Sequence, residues 1–132
     1  LVFLPGEREI HAVARELAAH LDPGAEEPVV ILPMYGRLPL EQQQQAIEPP
    51  RSGQRKIVLA TNIAETSLTI EGVDTVVDSG LVRVSLYEPG SGLTRLETRR
   101  ISRDSAEQRL GRAGRLSSTV VSEAPPGRRR RG

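Results

Sequence analysis

Apolar and polar positions alternate along the chain with two different periods, and together they predict an α/β fold. Apolar residues recur at spacings of three and four over residues 7–21, so a helix is expected there, and a second helix is expected over residues 39–47, with Pro39 near its first turn. Short apolar runs bounded by turn residues indicate strands: LVFL (1–4), VVILPM (29–34), KIVLAT (56–61) and VDTVVD (73–78). Strands that alternate with helices in this way are typical of a parallel sheet with crossover helices, which binds its ligands at the carboxyl ends of the strands.

A break in this alternation predicts a β-hairpin. Residues 81–88 and 93–101 each alternate apolar and polar positions, and a Pro-Gly-Ser-Gly turn separates them. The pattern alone leaves open whether this hairpin is an ordinary edge of the fold or a functional extension. The next segment, residues 104–115, is expected to be helical, with Asp104 or Ser105 as its N-cap.

The composition excludes several kinds of site. The chain of 132 residues has no cysteine, which excludes disulfides, thiolate zinc sites and thiol catalysis. Its 18 basic and 17 acidic residues give a net charge of +1, so the whole molecule is not a general polyanion binder. No apolar run approaches the roughly 20 residues of a membrane-spanning helix. We therefore expect a cytoplasmic domain without a membrane partner, and the start at Leu1, inside an apolar run, suggests a fragment of a longer protein.

Positive charge is concentrated in the stretch SAEQRLGRAGR (105–115). On one continuous helix, Gln108, Arg112 and Arg115 lie on the same face, whereas Arg109 points elsewhere. Guanidinium groups bind phosphate oxygens bidentately, so a polyphosphate is the natural ligand of such a face. A solvated basic face explains the same spacing, and the spacing alone does not decide between the two.

Three longer strings resemble a known family. LVFLPG (1–6), VLATNIAETSLTI (58–70) and SAEQRLGRAGR resemble, in this order, motifs IV, V and VI of the DEAH-box (DExH, superfamily 2) RNA helicases. The strings YGRLPLEQQQQAI, VVDSGLVR and LTRLETRRIS are similar to the bacterial HrpB-type branch in particular. The resemblance covers about residues 1–116. It implies the second RecA-like domain, a P-loop NTPase-type lobe with a parallel sheet flanked by helices and an appended β-hairpin, of an ATP-dependent enzyme.

The resemblance also implies residues that face a nucleotide. In this family the second domain closes over ATP and Mg²⁺, which are held mainly by the first RecA-like domain. Arg112 and Arg115 then match the arginine fingers that reach the terminal phosphates, and Gln108 matches the residue that helps to position the attacking water. The chain has neither a Walker A loop nor a DEAH-type acidic box, so we expect it not to hydrolyse ATP efficiently alone. Residues with a looser nucleotide-side assignment are Ser67, Thr69 and Asp74.

The family also implies contact with the backbone of single-stranded RNA. The best phosphate candidate is Arg37, with a plain surface arginine as the alternative. The hairpin occupies the place of the strand-separating hairpin of the family, so a wedge role is implied for it. One phenylalanine, two tyrosines and no tryptophan make base stacking a poor explanation, and binding is expected to be largely independent of sequence. The other implied RNA contacts are Gly6, Gly36, Thr61, Asn62 and Thr66, and turn and cap chemistry is the alternative for the hydroxyls of Thr61 and Thr66.

The end of the chain departs from the family, which continues after motif VI with a turn and a further strand. Residues 117–132 are predicted to be a disordered basic tail, in which the string TVV is a candidate strand. The four arginines at 128–131 either bind nucleic acid nonspecifically, serve as a localisation patch or are simply solvated. The alternative to a helicase motor lobe is a non-catalytic nucleic-acid-binding or interaction module derived from one.

Overall fold

A parallel sheet with helices on both faces forms the body of the protein, whose computed structural model describes residues 1–113 and 120–122. The sheet strands are β1 (Val2–Phe3), β2 (Val29–Met34), β3 (Arg55–Ala60), β4 (Val76–Asp78) and β7 (Val120–Ser122). The helices are α1 (Glu7–His20), α2 (Leu40–Ile47), α3 (Ile63–Thr66) and α4 (Arg103–Leu110). The five strands are all parallel and lie in the order β2-β3-β1-β4-β7, which confirms the predicted α/β class.

Successive residues of β3 point to opposite faces of the sheet and build two separate hydrophobic cores. Leu59 packs on the α1 face, where it joins Leu4 and the fully buried Ile10. Val58 and Ala60 pack on the other face, in a cluster that also contains Ala46 of α2 and Ala64 of α3. Because both faces are covered, the central residues of the strands are apolar on both faces, which is why short apolar runs located them.

The predicted hairpin forms a separate antiparallel sheet of two strands, β5 (Leu81–Glu88) and β6 (Leu93–Arg100). Its register runs from Leu81 opposite Arg100 to Glu88 opposite Leu93, and Gly92 has a positive φ of 68° in the connecting turn. At the base, the Ile101 amide donates to the Gly80 carbonyl (2.9 Å). The hairpin therefore extends from the end of β4 as an arm rather than as an edge of the main sheet.

Helix α4 differs from its prediction at both ends. Ser102 is the N-cap, because its hydroxyl accepts from the Ser105 amide (3.1 Å), so the prediction of Asp104 or Ser105 is wrong. The helix ends at Leu110 instead of continuing to residue 115. The amides of Arg112 and Ala113 bond to carbonyls three residues back, the tightened pattern of a helix end. Arg112 therefore follows the helix and does not share a helix face with Gln108.

Strand β7 lies within the segment for which a disordered tail is predicted, and it includes both valines of the candidate TVV strand, Val120 and Val121. It pairs in parallel with β4, Val76 opposite Val120, and adds the outermost strand on that side of the sheet. Residues 114–119 and 123–132 lie outside the described residues; they include Arg115 and the four tail arginines. Among the helices that the structure describes, none has the length and apolarity that a membrane crossing requires.

Candidate functional site

A cleft of about 820 Å³ opens at the carboxyl ends of β1, β2 and β3. The register aligns Phe3 and Met34 with Ala60, so the loops that follow these three strands leave the sheet at one edge. The cleft brings together five of the six residues predicted to contact RNA, while Thr66 does not line it. The five residues are Gly6, Gly36, Arg37, Thr61 and Asn62.

Two ion pairs border this cleft. Arg37 donates from Nε and Nη2 to the two carboxylate oxygens of Glu7, at 2.8 and 3.0 Å. This hydrogen-bonded fork lowers the pKa of Glu7, so its carboxylate stays ionised. The Arg37 side chain remains 84% exposed, so it still presents N–H donors to a ligand in the cleft. The second pair joins Arg83 of the hairpin to Glu9 of α1.

The hairpin forms one wall of the cleft. Arg83, Leu96 and Thr98 all line it, and the strand register places these residues on the same face of the hairpin. Leu96 is 69% exposed, and Tyr87, on the same face nearer the turn, is 65% exposed. A ligand bound in the cleft would therefore lie beside a hairpin surface that is partly apolar.

Arg109 is the most buried charge in the described part of the chain. The sequence predicts only that it points away from the helix face of Gln108 and Arg112. Its Nε donates to Glu65 (2.9 Å), and its Nη1 donates to Asp78 (2.8 Å) and to the Leu81 carbonyl (3.2 Å). Its guanidinium carbon lies 4.8 Å from the centre of the Phe3 ring. This one side chain therefore joins β1, α3, β4 and the base of the hairpin. The sequence did contain a signal for this role. Glu65 and Asp78 stand beside apolar residues in α3 and β4, and a carboxylate that is buried needs a cation.

Arg112 is half-buried and is held by α3. Its Nε donates to the main-chain carbonyl of Glu65 (2.8 Å), and it lines a cavity of about 130 Å³ together with Thr69 and Gly111. Ser105 donates its hydroxyl to the Glu65 carboxylate (3.2 Å). Glu65 therefore bonds to α4 through its side chain and to Arg112 through its main-chain carbonyl.

The other residues predicted for the nucleotide side are more scattered. Gln108 is exposed on α4, and Ser67 is exposed at the end of α3. Asp74 precedes β4, at the amino edge of the sheet, and accepts from the Thr75 hydroxyl (3.0 Å). The described residues do not gather these three around one cavity, and Arg115 lies outside them.

Helix α3 connects the cleft with the surroundings of Arg112. Thr61 and Asn62 line the cleft, and the four residues of α3 follow immediately and carry Glu65 to Arg109 and Arg112. One short helix therefore follows the cleft loop directly and is hydrogen-bonded to both Arg109 and Arg112.

Residues 1–117 match the helicase conserved C-terminal domain family. The chain belongs to this family. Within it, the chain is a DEAH-box, HrpB-like C-terminal domain: it is 53% identical over 120 residues to the ATP-dependent RNA helicase HrpB of Escherichia coli, covering 91% of this chain and 14% of that protein. It is also 45% identical over 123 residues to the ATP-dependent RNA helicase DHX33 of Mus musculus, covering 91% of this chain and 18% of that protein.

The fold is similar to a solved structure as well. The crystal structure of the E. coli DExH-box NTPase HrpB superposes with a TM-score of 0.79 at 50% sequence identity, covering 93% of this chain and 15% of the HrpB chain. The present chain thus spans 14% to 18% of the length of these curated relatives.

Proposed function

We propose that this chain is the second motor domain of an ATP-dependent RNA helicase, in which the cleft binds the RNA backbone and Arg112 acts on the terminal phosphates of ATP. The connection through Glu65 carries this proposal, because it joins the cleft loop to Arg112 across a single four-residue helix. A motor needs such a connection, since RNA binding has to change the geometry of the hydrolytic site. Arg115 and Gln108 join Arg112 in this proposal on the strength of the family resemblance.

The nucleotide itself is proposed to lie mainly on the first RecA-like domain. The cavity beside Arg112 measures about 130 Å³, smaller than the several hundred Å³ typical of a ligand pocket. Residues 1–113 and 120–122 contain no group of three or more His, Asp or Glu side chains suited to a metal ion. This domain then contributes charged donors to an ATP–Mg²⁺ complex held by its neighbour. Phosphoryl transfer is catalysed chiefly by such positioning and charge neutralisation.

RNA binding in the cleft is tested with Arg37→Ala in the full-length protein, meaning the polypeptide that carries both RecA-like domains. Removing one phosphate contact is expected to weaken binding several-fold for all RNA sequences and to reduce the slope of log K against log salt by about 0.7. Fluorescence anisotropy with labelled single-stranded RNA at several NaCl concentrations measures both. Arg15→Ala, an exposed arginine of α1 outside the cleft, is the matched control. An unchanged salt slope in Arg37→Ala would remove Arg37 from the RNA site.

The wedge role of the hairpin is tested by replacing residues 87–94 with a short turn. The loss of the exposed tip, which carries Tyr87 and Leu93 (65% and 67% exposed), is expected to abolish duplex unwinding while RNA-stimulated ATPase stays within about twofold. A strand-displacement assay and a coupled ATPase assay are run on the same preparation. Leu40→Ser alters another exposed leucine (79%) outside the hairpin and controls for surface apolarity. Unwinding at the unaltered rate would contradict the wedge.

A further inference from the structure

The hairpin is attached to the domain at two places. Its base is held by the bond from Ile101 to Gly80 and by Arg109, which donates to the Leu81 carbonyl. Farther along β5, Arg83 forms an ion pair with Glu9 of α1, 74 residues away in sequence. Among the described residues this is the only ion pair between the hairpin and another element. This ion pair therefore connects the hairpin to α1 at a point away from the hairpin base.

Gly6 lies directly under the contact. A Cβ atom at position 6 would lie 3.0 Å from Cζ of Arg83, closer still to its Nη1, and 3.1 Å from Oε2 of Glu9. The backbone of Gly6 is extended, with φ of −167°, so any residue could adopt it. Gly6 therefore leaves room for the guanidinium where it stands, and its backbone conformation does not require a glycine.

The surroundings favour a lasting pair. The side chains of Arg83 and Glu9 are only 26% and 31% exposed, so solvent screens them incompletely. Burial raises the pKa of Glu9, but the hydrogen bond and charge of Arg83 and a main-chain hydrogen bond outweigh it and lower the pKa overall. Glu9 is thus ionised at neutral pH. Thr98, opposite Arg83 on β6, lies 3.5 Å from Nη2 of Arg83 and flanks the guanidinium on the hairpin side.

We propose that Arg83 and Glu9 are positioning residues that hold the hairpin at a fixed angle beside the cleft, with Gly6 leaving room for the guanidinium; we call these three residues the latch. The inference rests on the proposed function, because the hairpin matters only if nucleic acid passes along the cleft. In the latch, Arg83 acts on the position of the hairpin, and the neighbouring Arg37 is left as the phosphate contact. Helix α1, which begins in the cleft, thereby sets where the hairpin stands.

The decisive variant is Glu9→Gln in the full-length protein, because it breaks the ion pair without removing the cation and Glu9 does not line the cleft. Spin labels at Ser91→Cys in the hairpin turn and Ala19→Cys on α1 report the hairpin angle by double electron–electron resonance, in a background without other reactive cysteines. The distance distribution is expected to be at least twice as broad in Glu9→Gln. Unwinding is expected to fall at least fivefold, with RNA-stimulated ATPase within twofold. Glu16→Gln, an exposed carboxylate of the same helix, is expected to change neither.

Two further variants reach the latch by other routes. Gly6→Ala is expected to displace the guanidinium and broaden the distribution as Glu9→Gln does. The exchanged pair Glu9→Arg with Arg83→Glu is expected to restore a narrow distribution that each single substitution broadens, a recovery that a general loss of folding would not give.

Other outcomes separate the latch from its alternatives. If Glu9→Gln leaves the distance distribution unchanged and tightens RNA binding, Arg83 is a phosphate contact and the latch is wrong. If the unaltered protein shows no RNA-stimulated ATPase, the proposed function fails. The distance measurement then still decides the latch, because it requires neither ATP nor RNA.

Discussion

Arg112→Ala is expected to lower ATP turnover of the full-length protein by roughly 10³-fold to 10⁵-fold, the range measured for arginine fingers. This corresponds to about 4 to 7 kcal/mol of transition-state stabilisation at about 1.36 kcal/mol per decade. The Nε atom of Arg112 donates to the Glu65 carbonyl, which fixes the stem of the guanidinium, and in the proposed role its Nη groups would donate to a phosphate. RNA affinity is expected to change little, because Arg112 does not line the cleft.

The measurement is a coupled ATPase assay at saturating RNA, with RNA affinity followed by anisotropy. Arg112→Lys keeps the charge but loses the planar fork and its bond to the Glu65 carbonyl, so most of the loss is expected to persist. Arg103→Ala, an exposed arginine in the first turn of α4, serves as the control and is expected to stay near the unaltered rate. Turnover within tenfold of the unaltered protein in Arg112→Ala would exclude an arginine finger at this position.

Short apolar runs located β1 to β4, and the helical period located α1, although β4 begins at Val76 instead of at residue 73. The prediction for β2 at 29–34 has the bounds observed, and α1 ends one residue before its predicted end at 21. These elements are buried along a face or a stripe, and burial is what the apolar pattern records. Loops at the carboxyl ends of the strands also followed from the order of elements, and the cleft brings together most of the residues for which the family implied RNA contact.

The helix bounds and the side-chain contacts of motif VI (105–115) were predicted less well. Treating residues 104–115 as one helix placed Arg112 on the face of Gln108 and left Arg109 without a role. The helix begins earlier, after Ser102, because the serine hydroxyl accepts from an amide of the first turn. It ends at Leu110, where a tightened last turn satisfies the terminal carbonyls. The partners of Arg109 lie 31 and 44 residues away, and no spacing rule within a helix contains that information.

The buried pairing of Arg109 leads to the largest expected effect on stability. Arg109→Met is expected to destabilise the domain by about 3 to 5 kcal/mol, because it leaves two carboxylates without their buried cation. The side chains involved are 0% exposed for Arg109, 14% for Glu65 and 9% for Asp78. The amides of β4 and α4 are expected to lose about two to four orders of magnitude of protection, as this free energy implies, in hydrogen exchange followed by mass spectrometry.

A triple variant separates a loss of charge balance from a loss of packing. Arg109→Met combined with Glu65→Gln and Asp78→Asn removes all three charges, and replacing a whole buried ion cluster is far less harmful than removing one member of it. We therefore expect the triple variant to regain a substantial part of the protection that Arg109→Met loses. It is not expected to regain RNA-stimulated ATPase, because the bonds that tie α3 to α4 and to the base of the hairpin would be weakened even in a stable domain. Equal protection in the single and triple variants would mean that Arg109 contributes packing alone, and the charge network would then have no part in holding these elements together.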